Sequence, residues 1–107
     1  MKLDILAFGA HPDDIEISVG GTLISEVRQG KKVGLIDLTR GEMGTRGKVE
    51  IRNQEAEDAR KIVGAVVREN LDMPDAFLET NTVNLEKIIR VIRKYQPDIV
   101  ITNAPSD

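Results

Sequence analysis

The chain has one histidine, and it stands in Gly9-Ala10-His11-Pro12-Asp13-Asp14-Ile15-Glu16. A neutral imidazole and a carboxylate three residues on can ligate one divalent cation from a single turn of backbone, which makes His11 and Asp14 candidate metal ligands. Asp13 is then left beside the cation with nothing to coordinate. That is the place of a general base when a metal lowers the pKa of bound water. A histidine followed by acids also suits an ordinary solvated loop, and two ligands fall one short of the three protein ligands usual at catalytic zinc.

A second polar stretch holds Arg40, Glu42, Arg46 and Lys48, with Arg52 shortly after. Charged loops are commonly just solvated, but arginine can clamp a carboxylate or phosphate bidentately. Asp75, after Met73-Pro74, reads first as a turn former and second as a hydrogen-bond partner for substrate hydroxyls. Acids near a metal and arginines further out would suit a substrate with a sugar and an acid arm.

Apolar runs alternating with helical periods must position these residues. Strands are expected at residues 3–8, 32–39, 65–71 and 98–102, and helices at 21–29, 49–63 and 84–95. The third strand is the weakest, because Arg68 and Glu69 interrupt it. The helix faces expected to be buried are Leu23, Ile24 and Val27; Ala56, Ala59, Ile62 and Val63; and Leu85, Ile88, Ile89 and Ile92. Gly30 and Gly64 suit helix C-caps, and Pro97 ends the last helix.

The result is a β-α-β-α-β-α-β series. It implies the α/β class: a Rossmann-like parallel sheet of about four strands in the order 3-2-1-4, with helices on both faces. Helix-to-strand connections are tight, whereas strand-to-helix connections (9–20, 40–48, 72–83 and 103 onward) are long and polar. All the long ones lie on the carboxyl edge of the sheet, where such folds bind ligands.

Composition narrows the function classes. The net charge is −3 and the pI near 5.2, which argues against nucleic acid or an acidic membrane as the main partner. The absence of cysteine removes disulfides, thiolate nucleophiles and cysteine zinc sites. No apolar stretch has the length of a membrane span and the first residues lack a signal peptide's layout, so a cytoplasmic protein is expected. No Gly-x-Gly-x-x-Gly follows the first strand, and three carboxylates there would repel a phosphate.

Ala10-His11-Pro12-Asp13-Asp14-Ile15-Glu16 followed by Gly20-Gly21-Thr22-Leu23 resembles the signature of the LmbE/PIG-L-like zinc N-deacetylases, which remove the acetyl group from N-acetylglucosaminyl conjugates. The stretches Asp37-Leu38-Thr39-Arg40-Gly41-Glu42-Met43-Gly44-Thr45-Arg46-Gly47, Glu50-Ile51-Arg52-Asn53-Gln54-Glu55-Ala56 and Arg68-Glu69-Asn70-Leu71 resemble the bacillithiol-biosynthesis branch, which acts on N-acetylglucosaminyl-malate. The resemblance implies zinc held by His11 and Asp14, Asp13 as general base, and Arg52 as a substrate-binding arginine. Arg46, Glu42 and Asp75 are further substrate contacts on the same footing. A site of imidazole and carboxylate also accepts Fe2+ or Mn2+. The implied partner is a small N-acetylated amino-sugar conjugate, with self-association into a homo-oligomer.

In the family, the third zinc ligand comes from an Arg-His-x-Asp-His segment after the fourth strand. The sequence in hand has no such segment, so residues 1–107 are expected to be the N-terminal portion of a single LmbE-like deacetylase domain. Two other readings compete. One is a receiver-like Mg2+-binding signalling module, with Asp72 and Thr102 in the acceptor and hydroxyl places; it lacks a fifth strand and gives His11 no role. The other is a non-catalytic fragment that oligomerises through exposed apolar faces.

Overall fold

A computed structural model describes residues 1–9, 14–39, 46–73 and 82–102, with backbone alone at 14–18, 46–49 and 52. Among the described residues the elements run β1 (Ile5–Gly9), α1 (Asp14–Arg28), β2 (Val33–Asp37), α2 (Arg46–Val63), β3 (Val67–Asn70), α3 (Thr82–Tyr95) and β4 (Ile99–Thr102). All strand pairs are parallel, in the order β3-β2-β1-β4. This is the α/β class and strand order expected from the sequence.

The pleat sorts the core into two layers, because successive strand residues point to opposite faces. Ile5, Ala7, Val33 and Leu35 join Leu23 of α1, Val63 of α2 and Ala65 in one cluster. Leu6, Phe8 and Ile36 join Leu3 with Val91 and Tyr95 of α3 in the other. Helices therefore cover both faces, and β1 and β2 are buried along their whole length. Continuous apolar runs are what such strands need, since neither face meets water.

Three details differ from the sequence reading. The first helix starts at Asp14 rather than residue 21, so Gly20 and Gly21 lie inside α1. Each interior glycine costs about 1 kcal/mol relative to alanine, but Val19 packs on the same cluster as Leu23, Ile24 and Val27. Burial of that longer face outweighs local propensity. In α2, Val63 is buried while Ile62 is 77% exposed. In α3 the buried line is Asn84, Val91 and Tyr95, with Ile88 and Ile92 packed against it, and Leu85 and Ile89 lie on an exposed flank. A count of apolar residues alone passes over Asn84, which is polar yet buried, and Tyr95, whose ring is core although its tip is polar.

The amino-terminal edge is closed by short, well-bonded turns. The Lys32 N–H donates to an Asp4 carboxylate oxygen at 2.7 Å, and the Leu3 N–H to the Tyr95 carbonyl at 2.8 Å. Gly30 and Gly64 follow α1 and α2 at φ 91° and 87°, the left-handed region in which glycine ends helices without strain.

Candidate active site

The carboxyl edge is where the strands release their connections. In register, Gly9 lies opposite Asp37 and Phe8 opposite Thr102. The segment after β1 therefore leaves between the ends of β2 and β4, at the switch point of the strand order, where open parallel sheets bind ligands. This segment is residues 10–13, shorter than the 9–20 connection expected, because α1 begins early. His11 and Asp13 belong to it and lie outside the described residues, as do Glu42 and Asp75. Asp14 is the first residue of α1 and Arg46 the first of α2, with Arg52 in the following turns of α2. The backbone thus brings Asp14, Arg46 and Arg52 to helices that start on one edge. Among the described residues no group of three or more His, Asp or Glu could hold a metal.

The described polar groups at this edge lie toward β3. Arg68 donates from Nε to Asp37 Oδ2 at 2.7 Å and from Nη2 to Oδ1 at 2.8 Å, with side chains 4% and 3% exposed. Its Nη1 reaches the Ala56 carbonyl of α2 at 3.4 Å. Next to it, Asn70 Nδ2 donates to the Thr39 carbonyl at 2.7 Å, and the Asp72 N–H donates to Asn70 Oδ1 at 2.8 Å. Leu38 N–H to the Gly9 carbonyl and Leu71 N–H to the Asp37 carbonyl, both 2.9 Å, carry the ladder past the strand ends. A polar cavity of about 250 Å³ opens here, lined by Asp37, Asn53, Glu57, Arg68 and Asn70. Its lining comes from β2, α2 and β3, away from the ends of β1 and β4.

The sequence reading missed the Asp37–Arg68 pair. A signal was present: one acid closing an otherwise apolar strand (Val33-Gly34-Leu35-Ile36-Asp37) and one arginine inside the next. Outside the site, Glu57 is held below the usual carboxylate range by its hydrogen bonds from Arg60, whose guanidinium is raised in turn.

Residues 6–107 match the family model described as PIG-L, GlcNAc-PI de-N-acetylase. The chain belongs to the PIG-L family. Among relatives of this PIG-L chain, the "Uncharacterized deacetylase YaiS" of Escherichia coli (strain K12) is 38% identical over 90 residues, covering 80% of the chain and 48% of the relative. The diacetylchitobiose deacetylase of Thermococcus kodakarensis is 33% identical over 108 residues, covering 94% and 40%. The chain thus spans less than half the length of either. The conserved protein TT1542 from Thermus thermophilus superposes with a TM-score of 0.85 at 40% identity, covering 92% of this chain and 44% of that one. GalB, the 4-carboxy-2-hydroxymuconate hydratase of Pseudomonas putida KT2440, superposes at 0.78 with 30% identity, covering 94% and 46%.

Proposed function

We propose that these residues are the N-terminal portion of a deacetylase domain that hydrolyses the acetamide of an N-acetylglucosaminyl conjugate, N-acetylglucosaminyl-malate being the first candidate. The observation that carries the reading is the His11-Pro12-Asp13-Asp14 block, which in the sequence lies between the end of β1 and the start of α1. Two relatives named as deacetylases, one of them for diacetylchitobiose, support it.

His11 and Asp14 would hold Zn2+, with Fe2+ or Mn2+ as alternatives. Their donor types suit these ions, but they are one short of the usual three ligands, and the sequence in hand has no second histidine. Zinc, when bound, supplies Lewis acidity toward the carbonyl and its attacking water. Asp13 takes the proton as water oxygen adds to the acetamide carbon. It returns that proton to the nitrogen as the C–N bond breaks, leaving acetate and a free amine.

Arg52 and Arg46 would meet the acid arm, and Glu42 and Asp75 the sugar hydroxyls. The first turn of α2 carries no acid and opens on Arg46. A cation there runs against the helix dipole, so the local preference is broken in a way an anionic group of the substrate would repair. Cytoplasmic residence and self-association, both expected from the sequence, belong to the same proposal.

Acetate and free-amine release from N-acetylglucosaminyl-malate tests the reading. In the full-length protein, Asp13→Asn should leave bound metal nearly unchanged and cut turnover by about 10²-fold or more. Equal loss of metal and turnover would make Asp13 a ligand instead. The likeness to GalB keeps a hydratase as the second reading, and consumption of a 4-carboxy-2-hydroxymuconate-type substrate with no acetate released from any N-acetyl sugar would favour it.

A further inference from the structure

We infer that Arg68 is a positioning residue: its buried fork ties α2 to the sheet, and so sets where the arginines of the first turns of α2 stand on the carboxyl edge. The functional half of this inference rests on the deacetylase reading.

The sheet does not need the Arg68–Asp37 pair to join β2 to β3. Their ladder is already made, from the Val66 N–H to the Val33 carbonyl through the Leu71 N–H to the Asp37 carbonyl, both at 2.9 Å. Two arms of the guanidinium satisfy both oxygens of Asp37, and the third hydrogen-bonds backbone in α2. Its acceptor, the Ala56 carbonyl, is a mid-helix oxygen with a second lone pair open to another donor. One planar group thereby joins β2, β3 and α2 at a point that is almost wholly buried.

The anchorage of α2 shows what this tie is for. Among its described side chains only Val63, its last residue, is buried, and Val63 sits in the apolar cluster. Ala56 lies two turns nearer the helix start, four residues after Arg52 and ten after Arg46. Apolar packing holds the C-terminal end of α2, and the Arg68 fork holds its middle. Lysine cannot replace it, because a single ammonium lacks the rigid fork that reaches both oxygens of Asp37 and a third acceptor together.

Two variants separate seating from simple stabilisation. Asp37→Leu with Arg68→Met removes both charges together, which commonly leaves stability intact. Arg68→Lys keeps the charge and loses the fork. If the fork seats α2, amide hydrogen exchange at residues 50–56 rises about tenfold or more in both variants, while α3 stays as protected as in the unaltered protein. KM for N-acetylglucosaminyl-malate then rises on the order of tenfold with kcat held within about twofold. Unchanged exchange at 50–56, exchange raised evenly through α1, α2 and α3, or failure of both variants to fold would each overturn the inference and leave the pair a stabilising contact. If the full-length protein releases no acetate, the deacetylase reading fails, and the exchange arm still decides whether Arg68 seats α2.

Discussion

Each face of the sheet carries one carboxylate joined to a cation, and the two are built to opposite plans. Under α1 and α2, Asp37 and Arg68 meet in a buried bidentate pair at the end of an apolar layer. Under α3, Glu69 accepts from the Tyr95 hydroxyl and, at 3.1 Å, from Lys94, whose side chain is 58% exposed. In the first pair both carboxylate oxygens are taken by guanidinium donors and little of either side chain meets solvent. The second tolerates water and is free to titrate. Burial, more than charge, decides which of them the fold depends on.

Breaking the buried pair from one side is the harshest test of that contrast. Arg68→Ala leaves Asp37 charged and unpaired in the interior, and should cost about 3–5 kcal/mol in urea unfolding. A loss below about 1 kcal/mol would mean that water reaches the site. Next come the apolar layers themselves. Leu35→Ala on one face and Leu6→Ala on the other should each cost about 2–5 kcal/mol. Both residues are fully buried, so unequal losses would show that one layer collapses around the gap more readily.

Tyr95→Phe should cost about 1 kcal/mol at neutral pH, and its dependence on pH sharpens the comparison further. Burial pushes the Glu69 carboxyl up, but the hydrogen bonds from Tyr95 and Lys94 together bring it below the ordinary range. The stability it contributes is complete above that range and lost as pH falls through the lowered value. Burial, then the bond to Glu69, raises the Tyr95 phenol, so its contribution is complete below the ordinary tyrosine range and lost as pH rises through the raised value. The difference in Tm between the two proteins should be widest between those limits and narrow beyond each. The smallest effect belongs to the exposed pair on α2: Glu57→Gln should leave Tm within measuring error.

The strand order and both layers were legible because two-sided burial demands apolar runs, and β1 and β2 supply them. Two things were not. The extra turns of α1 depend on Val19 and Gly20 meeting a sheet whose position only the tertiary structure gives. The Asp37–Arg68 pair spans 31 residues and exists only once β2 and β3 are in register, so Arg68 reads in isolation as a flaw in a strand. The opposite holds for His11 and Asp13, which lie outside the described residues and are carried by type and spacing alone.

β1 is one of the two inner strands, and its neighbours β2 and β4 arrive at very different times. Ile5 pairs with Val33 after a single helix, and with Ile99 only after three helices and two further strands have been synthesised. Closing so long a loop is entropically costly, and topologies of this kind fold slowly. During translation the side of β1 that awaits β4 offers a row of open backbone groups to any other nascent strand. Heat shock or a crowded polysome would therefore be felt first along that side of β1, before the finished protein showed any weakness there.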